Sequence, residues 1–134
     1  MHSSIKVKDK LHLKQLIPLE IALKGIDCDL IHLDISNVND LSHLFYNSKF
    51  NGDISKWDTS KVTDMKCMFK QSFFNGDISN WNTSKVESIE CIFQDCSAPK
   101  PYWSQYEGIQ ERSRVISEFN QIHREKQHLI QMLP

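Results

Sequence analysis

The sequence predicts an α/β fold, a small leucine-rich-repeat-like solenoid of short strand plus short helix units, capped by an N-terminal helix and a long C-terminal helix. Three observations lead there. The segment FNGDISKWDTSKVTDMKCMF at 50–69 returns as FNGDISNWNTSKVESIECIF at 74–93, an offset of 24 residues. Subtracting the same 24 exposes a degenerate first copy, with Ile26 under Phe50, Leu33 under Trp57, Val38 under Val62 and Phe45 under Phe69. Within each unit the apolar spacing then changes from a strand-like LxxLxx to steps of three and four. Self-similarity at such a period marks a stacked array, because one unit cannot bury its apolar face alone.

The elements follow in order. Residues 1–25 form an N-terminal cap, in which Asp9 can N-cap a helix running to about Lys24, with Leu13, Leu16, Ile17 and Ile21 on one stripe and Gly25 as its stop. Pro18 is expected to kink or split that helix near Ile17, because it lacks a donor and crowds the preceding turn. Residues 26–97 hold three units, 26–49, 50–73 and 74–97. In each of the last two, Asn-Gly-Asp turns the chain at 51–53 and 75–77. A short strand such as 54–59 follows, then one to two helical turns that Ser36, Ser60 and Ser84 would cap and that Asp40, Asp64 and Glu87 would favour through the helix dipole. Ile54, Trp57, Val62, Met65 and Phe69 point inward. Residues 98–107 form an aromatic linker in which Pro99 and Pro101 end the array, and 108–134 form an amphipathic helix carrying Val115, Ile116, Phe119, Ile122, Leu129, Ile130 and Leu133.

A chain of 134 residues suits a single domain. Lys and Arg number 16 against 17 Asp and Glu, a formal net charge of −1, so no bulk field recruits nucleic acid or an anionic membrane. Lysines at 6, 8, 10 and 14 interrupt the N-terminal apolar residues before a secretory core can form, and no apolar run is long enough to span a bilayer. The expected setting is the cytoplasm, without a membrane.

The candidate chemistry is sparse. Cys67 and Cys91 fall at one inward helical position of successive units, with His43 above them; packed helices would set them roughly 8–10 Å apart, beyond disulfide reach, as separate free thiols. No CxxC or HxxxH spacing supports zinc in that column. Asp29, Asp53 and Asp77 form another column, as do Asp34, Asp58 and Asn82, and turn bonding explains them better than calcium because no EF-hand or glycine-aspartate nonapeptide is present. There is no nucleophile motif, phosphate loop or paired acid and base at a recognisable spacing, so no metal, cofactor or catalytic residue is assigned and an enzyme is not expected.

At GDISKWDTSKVTDMKCMF and GDISNWNTSKVESIECIF the sequence resembles the BspA-like leucine-rich-repeat family, the tandem unit of mycoplasma lipoproteins and bacterial surface proteins. The resemblance covers 26–97, with Asp34-Ile-Ser-Asn-Val38 as its degenerate first copy. It implies a leucine-rich-like solenoid used for binding, often in adhesins, and supplies no catalytic residues.

Surfaces remain. If Ile54 and Trp57 point inward, then His32, Asp53, Ser55, Lys56, Asp77, Ser79 and Asn80 form an outward polar ribbon, and Tyr102, Trp103 and Tyr106 at its end can anchor a protein partner. The expected function is a noncatalytic intracellular protein-binding module, an inhibitor or immunity-type protein of bacterial or prophage origin. The alternatives are a surface adhesin fragment and an antagonist of a nucleic-acid-processing complex. A helix of 26 residues spans ~39 Å, more than one unit can cover, so Ile122, Leu129 and Leu133 are expected to drive self-association as a homodimer.

The register makes a prediction about stability. Trp57→Ala and Trp81→Ala should each destabilise by ~3–5 kcal/mol as core truncations, and Lys56→Ala should cost little. Denaturant melts of the three variants against the parent chain check this.

Overall fold

The computed structural model describes residues 3–134, so the first two residues of the expected N-terminal cap lie outside the described residues. Two helices and a two-stranded parallel sheet are its regular elements. Strand β1 (Ile5–Lys6) pairs in parallel with β2 (Leu33–Asp34), Ile5 opposite Leu33. Helix α1 (Lys10–Lys24) starts at Asp9, whose side chain accepts from the His12 N–H at 2.8 Å, and stops at Gly25, whose φ of 98° is open to glycine. It runs through Pro18 without the expected break. Helix α2 (Ile109–Gln131) follows a single 3-10 turn at Tyr102–Gln105.

The predicted strand-plus-helix solenoid is not what forms. Residues 36–97 contain no helix and no strand; the fold is mostly loop and turn. The backbone amides show why. In the second unit the N–H groups of Met65, Cys67, Phe69 and Gln71 donate forward to the carbonyls of Ser88, Glu90, Ile92 and Gln94 at 2.8–2.9 Å. Those of Met68, Lys70 and Ser72 fold back three residues to Met65, Cys67 and Phe69. A helix needs every N–H to reach the carbonyl four residues back. Here alternate amides leave the unit, and the rest close consecutive turns. Left-handed φ values of 53° at Cys67 and 57° at Gln71 place these residues third in turns of the type that needs positive φ there. His43 and Asn47 repeat this above them, and Cys91 and Asp95 below. Ten-residue helices are marginal on their own; the ladder to the next unit wins.

The presumed helix caps are corrected by the same geometry. Ser36, Ser60 and Ser84 begin no helix; their amides donate to the side chains of Asp34, Asp58 and Asn82, at 3.0 Å each. These are Asx turns, local substitutes for a backbone turn.

The 24-residue register nevertheless governs packing. Ile54, Trp57, Val62, Met65 and Phe69 are all buried, Trp57 being the most exposed at 5%. Phe45, Phe69 and Phe93 stack with centroids 5.7 and 5.5 Å apart and planes within 9°, and Trp57 lies over Trp81 at 6.4 Å. Each indole is also a staple between units. Trp57 Nε1 donates to the Leu30 carbonyl, Trp81 Nε1 to Ile54 and Trp103 Nε1 to Ile78, at 3.0, 3.0 and 3.2 Å. Trp103 thus continues the column although the fourth unit is missing.

Gly52 serves close approach: a Cβ built there would stand 1.7 Å from the Cys28 carbonyl oxygen. Gly52→Ala should therefore force the first two units apart and destabilise the protein by ~1–3 kcal/mol or more. Gly108→Ala, with open space around it, should leave the melting temperature almost unchanged. Thermal melts of both variants check the contrast.

Candidate binding surface

The polar ribbon is built from turns stacked one unit apart. Asp53 Oδ1 accepts from the Ser55 amide at 2.9 Å and the Ser55 hydroxyl at 2.7 Å, and Asp77 accepts from the Ser79 amide at 2.9 Å. Asp29 does the same for Ile31 at 2.6 Å. Asp53, Lys56, Asp77 and Asn80 are exposed, with Ser55 and Ser79 half-buried beside them. Hydrogen bonds from Ser55 hold the Asp53 carboxyl below the usual carboxylate range, and the Ser79 backbone and side chain do so for Asp77. The two aspartate columns are thus occupied with their own turns. A shallow cleft of about 490 Å³ runs between Asp53, Ser55, Phe74 and Asp77.

His32 is half-buried and paired with α1. Its Nε2 lies 2.8 Å from Glu20 Oε1, and the second Glu20 oxygen lies 3.1 Å from Lys24 Nζ. The His32 hydrogen bond holds the Glu20 carboxyl below its ordinary range. This pair ties α1 to the first unit, and His32 and Lys24 line a cleft of about 390 Å³ with Ser4, Cys28, Asp29 and Ile31. Burial pushes the Cys28 thiol up, so it stays protonated near neutral pH and is a poor nucleophile. Neither Glu20 nor this clasp was among the expected site residues; a glutamate inside an amphipathic helix carries no sequence mark of its distant partner.

The aromatic anchor is corrected in part. Trp103 is fully buried in the indole column and cannot face a partner. Tyr102 is half-buried and stacks on Phe119 of α2 at 4.2 Å, and Tyr106 is half-buried with its carbonyl accepting from Arg112 Nη1 at 2.8 Å. Arg112, fully buried, also donates to the carbonyls of Thr83 and Glu107, so it pins the start of α2 to the last unit. Sequence reasoning missed it, since an arginine on a helix ordinarily reads as solvated.

The cysteine geometry is corrected as well. The Cys67 amide donates to the Glu90 carbonyl at 2.9 Å, so Cys67 and Cys91 sit on neighbouring rungs, whose spacing is ~4.8 Å in a ladder of this kind, and not on packed helices. All four cysteines are free. Cys67 is buried, whereas Cys91 and His43 are exposed, so this column is not uniformly inward. Among the described residues no three His, Cys, Asp or Glu side chains converge as ligands for a metal ion.

From residue 117 onward every residue is exposed, with Ile122 at 65%, Leu129 at 64% and Leu133 at 70%, although Phe119 still stacks on Tyr102. Only Arg112 and Ile116 of this helix are buried. Among the described residues no helix is long and apolar enough to cross a membrane.

The molecule is a turn-built repeat protein with a polar ribbon on its flank and a projecting terminal helix. Residues 21–131 match the model of the family described as "Mycoplasma protein of unknown function, DUF285", and the chain belongs to that family. No curated protein and no solved structure matches it.

The Asx turns predict a pH response. Asp34, Asp53, Asp58 and Asp77 all have carboxyls held below the usual range, so the stability they add is full above about pH 4 and is lost as pH falls through the lowered folded values. Asp58→Asn keeps the acceptor, as Asn82 does in the third unit. It should match the parent at pH 7 and lose less stability on acidification. Asp58→Ala, which removes the acceptor, should lose ~1 kcal/mol at pH 7. Urea melts at pH 7 and pH 3 check both.

Proposed function

We propose that this protein is a noncatalytic protein-binding module acting in the cytoplasm, of inhibitor or immunity type and of bacterial or prophage origin. The observation that carries the reading is the ribbon in which exposed Asp53, Lys56, Asp77 and Asn80 flank half-buried Ser55 and Ser79, with Asp53 and Asp77 pre-set by Asx turns on a stacked core. Binding then orders few residues, which lowers its entropic cost. Four free cysteines favour a reducing compartment. The exposed Ile122, Leu129 and Leu133 favour a homodimer through α2, which would present two ribbons and raise avidity for a repeated target.

A second reading rests on a resemblance. The W-[DN]-T-S-K-V run shared by the second and third units resembles that of BspA-like proteins, and that resemblance alone supports a surface adhesin role. Fractionation of the native host separates the two: cytoplasmic protein favours the module, surface protein the adhesin. An antagonist of a nucleic-acid-processing complex finds less support, since the formal net charge is −1.

Affinity capture from the native host with mass spectrometry tests the leading reading. One protein should be enriched by the parent chain and lost with Asp53→Lys and Lys56→Glu; a clean capture without a protein overturns it. Light scattering at micromolar concentration should give a dimer for the parent and a monomer for Ile122→Glu with Leu129→Glu. A monomeric parent removes the dimer, and a dimeric double variant moves the interface elsewhere.

A further inference from the structure

The ladder between units is directional. Leu41, His43, Phe45 and Asn47 donate their amides to Asp64, Lys66, Met68 and Lys70, and Met65, Cys67, Phe69 and Gln71 donate to Ser88, Glu90, Ile92 and Gln94, all at 2.8–2.9 Å. The corresponding amides of the third unit belong to Ile89, Cys91, Phe93 and Asp95. Among the described residues these four find no acceptor. The C-terminal cap covers other parts of the last unit: Trp103 takes the Ile78 carbonyl, and Arg112 and Ser113 take those of Thr83 and Ser84. Beside the amides of Ile89, Cys91 and Phe93 lies a groove of about 350 Å³, floored by Ile89, Ile92 and Phe93 and rimmed by Lys100, Ser104 and Glu107. Cys91 and Gln94 are exposed along it.

We propose that this edge is a docking site for a segment of a partner protein that takes the turn conformation of the existing rungs and adds a fourth by accepting hydrogen bonds from Ile89, Cys91, Phe93 and Asp95. Unpaired amides at every second residue are matched by the carbonyls that a rung of consecutive turns presents at every second residue, and adding a chain to an unpaired backbone edge is a recurring mode of peptide recognition. The two existing rung interfaces show the bonding that the third would continue. A second copy of the same edge does not fit, because a two-fold pairing would set donors against donors. The acceptor edge of another copy is covered by α1, with Lys10 Nζ 3.4 Å from the Ser42 carbonyl and Leu13 and Ile17 buried in the common core. The occupant is therefore a segment from a different protein, apolar where it crosses Ile89 and Ile92. This proposal rests on the protein-binding reading and names a surface separate from the ribbon.

Residue-resolved hydrogen exchange on the full chain tests it. The probe is a terminally blocked peptide of residues 85–96 carrying Cys91→Ser and Cys96→Ser, the sequence that already pairs with the second unit. At millimolar peptide, exchange at Ile89, Cys91, Phe93 and Asp95 should slow at least tenfold, with Ser55 and Ser79 unaffected. The all-D peptide, equal in composition and hydrophobicity, should leave all six amides unchanged. No slowing with the L-peptide, or equal slowing with both, overturns the proposal. The same measurement with the captured partner separates the two readings: protection confined to Ser55 and Ser79 overturns edge docking and keeps the binding module, whereas protection at the four edge amides supports both.

Discussion

A core with only one two-residue pair of strands, and with helices only at its ends, must satisfy its backbone polar groups one by one, and the amide ladder between units does this. Unpaired amides and carbonyls in an interior are costly, so a chain of turns collapses into a core only if each turn's spare donors meet acceptors elsewhere. Alternate amides of 41–47 and 65–71 reach the next unit, and the intervening ones close turns within their own. The 24-residue identity of the units is what keeps this match in register. An inserted or deleted residue would move donors opposite donors.

The side-chain packing follows from that ladder. Rungs in register bring like residues over like, which is why Phe45, Phe69 and Phe93 lie nearly parallel and why each indole N–H meets a carbonyl of the unit before it. Apolar burial supplies the driving force, at ~25 cal/mol per Å² of surface removed from water. The hydrogen bonds choose which collapsed arrangement is kept. Left-handed backbone at His43, Cys67 and Cys91, where glycine would be easier, is local strain sustained by the surrounding rungs.

The outer face obeys a different rule. There the carboxylates and the asparagine bond to their own following turns, so charge is held in place without consuming inter-unit contacts. The stack is open in one respect: its forward amides end at the third unit. On the binding reading proposed above, the chain offers two unlike surfaces, a polar ribbon read by side chains and an edge read by backbone.

Much was determined by the sequence alone: the repeat, its 24-residue period, the inward set from Ile54 to Phe69, the span of α1 with its Asp9 cap, and the long terminal helix. These depend on local chemistry or on identity at a fixed offset, and both can be read along one dimension. Only the tertiary structure decided that the second half of each unit is turn and not helix. Steps of three and four at Val62, Met65, Met68 and Phe69 suit either form, and the choice fell to amides that pair with another unit 23 residues away. The same holds for Trp103, which packing drew into the indole column, for the Glu20–His32 clasp, and for the buried Arg112. In each case the deciding partner is distant in the chain, and a residue's own neighbours carry no trace of it.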